Sequence, residues 1–543
     1  MQYRTRQEPS RAAGYRASGA WPDETFSMLL ARRVAEVPDK VVLVDGDTRL
    51  SYRELSDAID RVAVLFRAQG LGQGDIVALQ LPNWHEFVIV YYALERVGAV
   101  AVAISIDFRS SEVDYVLKFA GCKGFIGCSS YKGFDYGAMI DGLRGDLPQL
   151  KFVGVVRGED RGGAISLDAA IRATGCPAGF VPAPLDPDAL TRILFTSGTT
   201  GNPKGVTHNH NTSLWPARML NQDMELGADE VMLLYLPLAL NWGYLTIAQA
   251  VMLGASVVLM EKFDAVAALE LIEKERVTYI PTAPASIVAM LNVPDLARYD
   301  LSSLRMVVAG GTSFPVEKIR AFRQHFGATL IELYGMLETG GYHTYTRPTD
   351  DPELVAGSVG KPGSQMHLRI RDTEDRDVPD GSPGEIQCDG PGTQLGYHNN
   401  TKANMEAFTE DGWFRTGDLG LIDASGNLRI VGRLKEIINR GGKKYYPREI
   451  EEVIYTHPKV LHAAVIGLPD VRLGESNCLC IVPRPGQEAP TLDEFVAMLR
   501  DRVAVYKLPE RLEVFDELSY TPTGKVQRHA MVKRVLERDG VTG

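Results

Sequence analysis

Residues 195–205, FTSGTTGNPKG, concentrate groups that suit a phosphate. Their three glycines let the backbone turn tightly and bring its N–H groups close to an anion. Four hydroxyl side chains and Lys204 add hydrogen-bond donors for phosphate oxygens. The apolar run 191–195 before them predicts a buried strand, and we expect a helix to begin within residues 206–210. Because a flexible linker needs neither that strand nor the single lysine, the stretch predicts a phosphate-binding loop.

The loop does not follow the Walker A pattern G-x-x-x-x-G-K-[ST]. Counted from Gly198, Pro203 occupies the place of the second glycine, and Gly205 follows Lys204. The eleven residues instead closely resemble the phosphate-binding signature of the adenylate-forming superfamily, which includes acyl-CoA synthetases, peptide-synthetase adenylation domains and luciferases. The resemblance implies an α/β fold with a large N-terminal adenylate-forming domain, made of parallel sheets with helices plus a distorted β-barrel. It also implies a small mobile α+β C-terminal domain.

Length and composition fit a globular protein of more than one domain. The chain has 543 residues, a formal net charge of −11 and 45% hydrophobic residues. The length exceeds what one hydrophobic core usually serves, and the acidic balance argues against a nucleic-acid-binding protein. The six cysteines lack zinc-site spacing, so we expect reduced, partly buried thiols in a cytoplasmic protein.

Sequence periodicity predicts two kinds of β structure. Strand and helix patterns alternate up to about residue 330, which predicts parallel sheets covered by helices. One of these helices has a clear start, because Ser51 followed by Glu54 forms a capping box. After residue 350, glycines among short alternating runs predict antiparallel strands. We place the domain boundary at Lys435, which gives domains 1–434 and 435–543.

Two stretches look like membrane or targeting segments at first sight. Residues 232–260 carry no charge, but proline and glycine interrupt them, so we expect pocket wall, buried helix and strand. The first 22 residues are basic. We interpret them as a surface arm rather than a transit peptide, since Pro9 and Gly14 should interrupt an amphipathic helix.

The motif YGMLET, residues 334–339, follows an apolar strand pattern at residues 329–333. In the superfamily the matching motif supplies an aromatic face for adenine and a carboxylate for Mg²⁺, and Tyr334 and Glu338 fit those roles. Leu337 stands where the family usually has a threonine that touches the α-phosphate. Because of this difference a second class of function stays open, in which the chain is a relative that binds a nucleotide without catalysis.

The motif WFRTGD, which ends at Asp418, matches a further segment of the superfamily. A carboxylate accepts hydrogen bonds from ribose hydroxyls in many nucleotide sites. The resemblance gives Asp418 that role and brings Arg433 to the same sugar. Residues 307–312, VVAGGT, would lie beside adenine and the acyl pocket.

The C-terminal part matches two more functional segments of the superfamily. Lys435 falls at the hinge about which the small domain turns. Gly441 and Gly442 would line the channel of the thiol acceptor. The segment TPTGKV contains Lys525, which matches the superfamily's catalytic lysine.

Together the motifs imply a two-step reaction that uses ATP, Mg²⁺ and CoA. A carboxylic acid attacks the α-phosphate of MgATP to give an acyl adenylate and pyrophosphate, and a thiol then displaces AMP. Lys525 would bridge the carboxylate and the α-phosphate, while Mg²⁺ on Glu338 and Thr196, together with Lys204, would hold the leaving pyrophosphate. The resemblance assigns nucleotide contacts to Thr196, Ser197, Gly198, Thr199, Thr200, Gly201, Lys204, Gly310, Gly311, Thr312, Glu332, Leu333, Tyr334, Gly335, Asp418, Arg433 and Lys525.

Residues 235–243, YLPLALNWG, match the superfamily segment that lines the acyl pocket. Many members have a histidine where this chain has Leu240, and Asn241 resembles the asparagine of members that activate 2-hydroxybenzoates. Residues 15–24 resemble the start of ligases that act on cyclic carboxylic acids. We therefore expect an aromatic or alicyclic acid as the substrate. The resemblance places Asn241, Trp242, Gly335, Met336 and Gly341 around that acid.

Several alternatives stay open for the substrate and the acceptor. The chain could be a stand-alone aryl-acid adenylating enzyme that loads a carrier protein, or a medium-chain fatty acyl-CoA ligase. We expect a small-molecule carboxylic acid and CoA as partners, with no nucleic acid and no integral membrane association. A carrier protein and a homo-oligomer stay open as further partners.

Overall fold

The computed structural model describes residues 9–177, 179–196, 203–310, 316–520 and 526–540. Within these ranges the side chains of Val316, Glu317 and Lys444 are not described. Part of the predicted site lies outside the described residues, namely Ser197, Gly198, Thr199, Thr200, Gly201, Gly311, Thr312 and Lys525.

Residues 9–172 alternate helices with short strands. The helices are α1 (Pro9–Ala17), α2 (Phe26–Glu36), α3 (Tyr52–Ala68), α4 (His85–Arg96), α5 (Ser110–Ala120), α6 (Tyr136–Leu143) and α7 (Asp168–Arg172). The strands are β1 (Val41–Asp45), β2 (Thr48–Ser51), β3 (Ile76–Gln80), β4 (Val100–Ala103), β5 (Gly124–Cys128), β6 (Ser130–Tyr131), β7 (Phe134–Asp135), β8 (Phe152–Val156) and β9 (Ile165–Ser166).

Residues 190–345 continue the alternation. The strands are β10 (Leu190–Phe195), β11 (Gly205–Asn209), β12 (Val231–Leu234), β13 (Ser256–Leu259), β14 (Tyr279–Thr282), β15 (Met306–Gly310), β16 (Thr329–Tyr334) and β17 (Thr344–Tyr345). The helices are α8 (His210–Asp223), α9 (Asn241–Leu253), α10 (Ala265–Glu275), α11 (Pro284–Leu291) and α12 (Val316–Phe326).

Residues 352–433 are mostly strands. They contain α13 (Pro352–Gly357), β18 (Lys361–Pro362), β19 (His367–Arg371), β20 (Gly384–Asp389), β21 (Gly396–Tyr397), α14 (Thr401–Ala407), β22 (Phe414–Ile422) and β23 (Leu428–Arg433).

The C-terminal part mixes strands and helices. It contains β24 (Ile438–Arg440), β25 (Lys443–Tyr445), α15 (Pro447–Ile454), β26 (Val460–Asp470), β27 (Gly474–Pro483), α16 (Leu492–Leu499), β28 (Arg511–Val514) and α17 (Arg528–Arg538). Short 3-10 turns occur at Arg144–Asp146, Leu296–Arg298, Leu337–Thr339, Leu434–Glu436 and Val505–Lys507.

Two large sheets organise the N-terminal part. The first has nine strands in the order β18-β17-β16-β15-β14-β12-β13-β1-β2, and the second has eight in the order β21-β11-β10-β4-β3-β5-β8-β9. Parallel strands form the centre of each sheet. Antiparallel strands lie at both edges of the first sheet and at the β21 edge of the second, whereas β9 at the other edge of the second sheet is parallel to β8. The predicted parallel sheets with helices are therefore confirmed. The largest apolar core contains residues of both sheets and of α3, α4, α8 and α9.

Two smaller sheets follow. Strands β19-β20-β22-β23 form an antiparallel sheet, as the sequence after residue 350 predicts. Strands β25-β24-β27-β26 form the C-terminal sheet, and β28 joins β27 in parallel. The C-terminal sheet has apolar clusters of its own, which include α15, α16 and α17.

Helix α3 shows how local sequence fixes an element of this fold. The Ser51 hydroxyl accepts a hydrogen bond from the Glu54 N–H at 3.2 Å, and the Glu54 carboxylate accepts one from the Ser51 N–H at 2.8 Å. The predicted capping box is confirmed. The helix buries one apolar face, which includes Leu55, Ile59, Val62 and Phe66.

The chain after the phosphate loop contains a strand that the sequence does not predict. Residues 205–209 form strand β11, and α8 begins at His210, the last residue of the range in which the sequence predicts a helix start. Strand β11 pairs antiparallel with β10 on one side and with β21 on the other. These two ladders satisfy its backbone on both sides and outweigh local helix propensity. The loop therefore connects two antiparallel strands.

The basic N-terminal stretch also differs from the prediction. Residues 9–17 form helix α1, so the expectation that Pro9 and Gly14 prevent a helix is wrong. Proline is tolerated in the first turn, where its missing N–H has no intrahelical partner. The Arg11 guanidinium binds the carboxylate of Asp389 at 2.9 Å. This ion pair docks the stretch onto the antiparallel sheet.

The uncharged stretch 232–260 contains β12, α9 and β13, as predicted. Among the described residues, no helix is both long enough and apolar enough to cross a membrane. None of the six cysteines forms a disulfide in the described structure, and five of them are buried.

Candidate active site

The two ends of the phosphate loop lie side by side. The Thr196 N–H donates to the Lys204 carbonyl at 3.0 Å, and the Lys204 N–H donates to Thr196 Oγ1 at 3.1 Å. Strands β10 and β11 are paired next to these residues, with Phe195 opposite Gly205. The sheet therefore fixes the positions of Thr196 and Lys204 relative to each other.

Glu338 lies in the 3-10 turn that follows β16. Its Oε1 accepts a hydrogen bond from the Tyr397 hydroxyl at 2.9 Å, and its backbone carbonyl accepts one from the Gln394 N–H at 2.7 Å. The Lys204 ammonium lies 4.7 Å from the centre of the Tyr397 ring. Tyr397 therefore contacts both Lys204 and Glu338, two residues that the sequence assigns to the pyrophosphate side of ATP.

The residues around Glu338 fit a magnesium ion. Burial raises the pKa of the Glu338 carboxyl group, and a cation beside it would favour the ionised form. Mg²⁺ takes oxygen ligands and is held by one or two carboxylates together with substrate phosphates. The Thr196 hydroxyl accepts one hydrogen bond from Lys204 and keeps a second lone pair. Glu338 would be the anionic ligand and Thr196 a neutral one.

Asp418, Arg433 and Tyr334 form a second polar cluster. Asp418 Oδ1 lies 3.0 Å from Arg433 Nε, and Asp418 Oδ2 accepts a hydrogen bond from the Tyr334 hydroxyl at 2.6 Å. Asp418 and Arg433 face each other in the register of β22 and β23. The Asp418 charge raises the pKa of Arg433. The structure thus brings together three residues that the sequence assigns to the nucleoside.

Glycine is required where the chain folds back after β16. A β-carbon on Gly335 would lie 1.9 Å from the Gly341 carbonyl oxygen. Gly341 has a φ of 116°, and its β-carbon would lie 2.6 Å from Leu245 Cδ1. On the neighbouring strand, a β-carbon on Gly310 would lie 2.5 Å from Leu333 Cδ1. These close approaches leave no room for a side chain at the three glycines.

Asn241 and Trp242 begin α9 and face the folded-back segment. The Trp242 and Tyr342 rings meet edge to face, with centroids 5.0 Å apart. A β-carbon on Gly341 would lie 3.7 Å from Asn241 Cβ. The structure therefore places Asn241 and Trp242 beside Gly341. Their role in an acid pocket stays a prediction.

Two polar side-chain atoms of this wall are buried and lack a protein partner in the described structure. Within the described residues, Asn241 Oδ1 and the Tyr342 hydroxyl have no hydrogen-bond partner. Asn241 is 3% exposed and Tyr342 is 1% exposed. Buried polar atoms are usually hydrogen-bonded, so these two are candidates to bind polar atoms of a substrate.

His208 carries no sequence signal, yet its ring ties β11 to the Glu338 turn. Its Nε2 donates to the Leu337 carbonyl at 2.8 Å, and its Nδ1 accepts from the Thr212 hydroxyl at 3.1 Å. Burial lowers the pKa of His208 to about 3. The ring is therefore neutral, and one tautomer satisfies both bonds.

The side chains of Met336 and Leu337 pack against a buried apolar cluster that includes Leu194 and Val206. Leu337 replaces the threonine that is usual in the superfamily. At this position apolar packing therefore takes the place of a hydroxyl. Met336, which the sequence assigns to the acid pocket, shares this cluster.

Glu332 is buried on the same strand as Tyr334. Strand alternation puts the two side chains on one face of β16, and Leu333 on the other. Within the described residues, Glu332 Oε2 has no hydrogen-bond partner. Burial raises the pKa of Glu332 well above its ordinary value.

The predicted hinge and acceptor residues lie in the C-terminal part. Lys435 occupies the 3-10 turn between β23 and β24, and the Arg528 guanidinium binds the next residue, Glu436, at 2.7 Å. Gly441 and Gly442 form the turn between β24 and β25, with φ of 59° and 81°. The described contacts of these glycines do not connect them to the nucleotide cluster.

Tyr397, His208 and Tyr342 are site residues that the sequence did not single out. Tyr397 meets Glu338 across 59 positions, and His208 meets Leu337 across 129. No local periodicity reports a contact at such separations. These contacts depend on strand register, because β11 lies between β10 and β21, and the sequence gives no local signal of that register.

Comparison with known proteins gives matches over nearly the whole chain. The sequence profile for "AMP-binding enzyme" matches residues 30–398, and that for "AMP-binding enzyme C-terminal domain" matches residues 449–525. The chain is 35% identical to the 2,3-dihydroxybenzoate-AMP ligase of Bacillus subtilis over 97% of this chain and 96% of that one. It is 32% identical to the medium-chain fatty-acid–CoA ligase of Escherichia coli over 97% and 93%.

A solved structure matches the fold over the same extent. The crystal structure of the anthranilate CoA ligase AuaEII in complex with anthranoyl-AMP superposes with a TM-score of 0.86 and 26% identity. The match covers 95% of this chain and 98% of that chain. This chain therefore shares its two-part α/β architecture with a protein whose crystal structure contains an acyl adenylate.

Proposed function

The chain belongs to the AMP-binding enzyme family of adenylate-forming acid–thiol ligases, and we propose that its substrate is a ring-bearing carboxylic acid. The enzyme activates a carboxylic acid as an acyl adenylate at the expense of ATP. In the proposal the acid is aromatic or alicyclic, and CoA takes the acyl group.

In the first step, a carboxylate oxygen attacks the α-phosphorus and the bond to the pyrophosphate oxygen breaks. Tyr334, Asp418 and Arg433 would hold the nucleoside, and Thr196 and Lys204 the departing pyrophosphate. Mg²⁺, when bound at Glu338, would neutralise charge on that pyrophosphate. Lys525 would bridge the two reacting anions, as the superfamily resemblance implies.

In the second step, the CoA sulfur attacks the acyl carbon and the bond to the AMP phosphate breaks. The thiol proton leaves to solvent, and the products are acyl-CoA and AMP. We assign the turn at Gly441 and Gly442 to the acceptor channel. We also assign the domain boundary and hinge to Lys435, so that residues 435–543 turn between the steps.

One observation carries the assignment of the acid. Asn241 Oδ1 is buried without a protein partner in the described structure. Asn241 lies beside Gly341 and precedes Trp242, whose ring meets that of Tyr342. Flat aromatic walls suit a ring, and an unpaired amide oxygen suits a hydroxyl or amino group on that ring. A plain alkyl chain would leave the Asn241 oxygen unpaired.

A second candidate follows from the relatives. The relative in Bacillus subtilis is named for an AMP ligase reaction on 2,3-dihydroxybenzoate, not for CoA. The chain could therefore stop at the adenylate and pass it to the thiol of a separate carrier protein. The relative in Escherichia coli and the matched crystal structure are named for CoA, which favours CoA.

The test is product analysis with the full-length protein. The protein is incubated with MgATP and each of benzoic, 2-hydroxybenzoic, cyclohexanecarboxylic, cinnamic and decanoic acids, with and without CoA. AMP and thioester are measured by mass spectrometry, and samples with EDTA serve as controls. We expect CoA-dependent thioesters from ring-bearing acids. Adenylate without thioester would favour the carrier alternative, and turnover of decanoic acid alone would contradict the proposed acid class.

A further inference from the structure

The side chain of Tyr397 contacts both Glu338 and Lys204, two residues assigned to the phosphates of ATP. The Tyr397 hydroxyl binds Glu338, and the Tyr397 ring lies under the Lys204 ammonium. Glu338 and Lys204 come from different sheets and from chain segments more than a hundred residues apart. Within the described structure, Tyr397 contacts both through its side chain. This arrangement suggests a role beyond packing.

Tyr397 is itself held firmly. Its N–H donates to Asn404 Oδ1 at 2.6 Å, and its carbonyl accepts from Asn404 Nδ2 at 3.0 Å. Opposite it on β11 stands Val206, two residues after Lys204. The side chain is 5% exposed. A group fixed by two backbone bonds and a strand ladder can hold a flexible lysine and a carboxylate in place.

The chain just before Tyr397 also holds the Glu338 turn. The Gln394 N–H donates to the Glu338 carbonyl at 2.7 Å, and the Leu395 N–H donates to the Thr207 carbonyl at 2.9 Å. Residues 394–397 therefore connect β11, which follows the phosphate loop, with the turn that carries Glu338. Both the backbone and the side chain of Glu338 depend on this short segment.

We propose that Tyr397 is a positioning residue that sets the Glu338 carboxylate as a magnesium ligand and aligns Lys204 with the same phosphates. The inference rests on the proposed magnesium role of Glu338. The hydrogen bond that the Tyr397 hydroxyl donates to Oε1 orients the carboxylate. The ring holds the Lys204 ammonium by cation–π attraction, which directs the lysine without neutralising it.

Metal sites in general depend on hydrogen bonds that hold the ligating side chains in place. Hydrogen bonds to ligating carboxylates fix ligand orientation, and their removal typically weakens metal affinity or activity about 10- to 100-fold. A tyrosine that merely fills the core would lose little when its hydroxyl is removed. Tyr397→Phe keeps the ring beside Lys204 and removes only the bond to Glu338.

The chain offers a matched control. Tyr131 also donates its hydroxyl to a glutamate, Glu261 Oε1, at 2.9 Å. That pair joins β6 to the segment after β13, away from the Glu338 turn. Tyr131→Phe therefore removes the same kind of bond outside the proposed site.

The experiment measures metal binding directly. Mn²⁺ is titrated into the full-length protein with α,β-methylene-ATP present, and bound Mn²⁺ is followed by electron paramagnetic resonance. We expect Tyr397→Phe to bind Mn²⁺ at least about tenfold more weakly than wild type, and Tyr131→Phe to match wild type. Tyr397→Leu, which also removes the ring, should in addition raise KM for ATP through Lys204.

The outcomes separate this inference from the proposed function. Mn²⁺ affinity of Tyr397→Phe within twofold of wild type would overturn the positioning role, even if the wild type forms acyl-CoA. Wild-type protein that binds no Mn²⁺ with the nucleotide would overturn the magnesium site and this inference together. Weakened Mn²⁺ binding in Tyr397→Phe supports the inference even if every acid in the panel is refused.

Discussion

The nucleotide side and the acid side of the site differ in how their polar groups are satisfied. On the nucleotide side, Asp418 binds Arg433 and Tyr334, and Glu338 binds Tyr397. On the acid side, Asn241 Oδ1 is buried and has no partner in the described structure. The nucleotide-side groups named here are held by protein partners, whereas Asn241 Oδ1 keeps its hydrogen-bonding capacity for a ligand.

The difference teaches how one fold serves many acids. ATP is the same for every acid, so its binding groups can be fixed in advance by hydrogen bonds and ion pairs. The acid varies, so the groups that recognise it must keep their hydrogen bonds for the ligand. In this chain the fixed set lies on strands of three sheets, except for Glu338 in its 3-10 turn, whereas Asn241 on the acid side begins helix α9.

The largest expected effect is a loss of the adenylation reaction with nucleotide binding retained. Lys525→Ala should lower acid-dependent pyrophosphate exchange about 10²- to 10³-fold, because it removes a positive charge from the reacting anions. Binding of α,β-methylene-ATP should stay within about twofold. The control is Lys533→Ala, an exposed lysine of α17. Equal exchange by both variants would remove Lys525 from the mechanism.

A substitution at Asp418, one of the fixed nucleotide-side residues, should weaken ATP binding and leave the acid preference unchanged. Asp418→Asn removes the charge that Arg433 and Tyr334 share. KM for ATP should rise about 10- to 100-fold, since hydrogen bonds to charged groups are worth about 1.5–3 kcal/mol. Asp423→Asn, in the turn of the same hairpin, should change KM much less. A reordered acid preference in Asp418→Asn would contradict the separation of the two sides.

A substitution at Asn241 on the acid side should alter the acid preference and leave KM for ATP nearly unchanged. Asn241→Leu should lower the kcat/KM ratio of 2-hydroxybenzoic to cyclohexanecarboxylic acid about tenfold, because a polar partner is lost. KM for ATP should stay within about twofold. The exposed Asn292→Leu serves as the control. If Asn241→Leu leaves every acid unchanged, Asn241 has only a structural role.

Glu332 lies on the nucleotide side, but its Oε2 has no hydrogen-bond partner within the described residues. Its substitution gives the smallest expected effect. Its folded-state pKa is raised by burial, so between the unfolded-state and folded-state pKa values the folded state binds more protons than the unfolded state. Wild-type stability should therefore fall as pH rises above the unfolded-state pKa, and Glu332→Gln should remove that loss.

Thermal melts between pH 5.5 and pH 8.5 test this sign. The Tm advantage of Glu332→Gln over wild type should grow with pH by about 1–2 °C. Glu406→Gln, on the exposed face of α14, should show a difference that does not change with pH. A Glu332→Gln advantage that shrinks as pH rises would show that burial is not the dominant influence on Glu332.

The parts of the site that the sequence predicts are contiguous motifs. Glu338 and Asp418 stand at fixed places in short runs, so a resemblance reaches them without knowledge of the fold. Ser51 and Glu54 were predictable for a related reason, because a capping box involves two residues three positions apart.

The parts that the sequence did not predict depend on strand pairing. Residues 205–209 became a strand because β10 and β21 flank them, and this neighbourhood is not visible in five residues. The same ladder brings Tyr397 to Lys204 and Glu338. His208 reaches Leu337 from that strand as well. Register between distant strands is therefore the information that local patterns lacked.

The most direct test of the two-sided account is acid-dependent pyrophosphate exchange into ATP, measured over the panel of ring-bearing and straight-chain acids. The account predicts that KM for ATP stays within about twofold across acids, while kcat/KM for the acid spans about a hundredfold with ring-bearing acids highest. A KM for ATP that shifts with each acid, or uniform kcat/KM values across the panel, would contradict it.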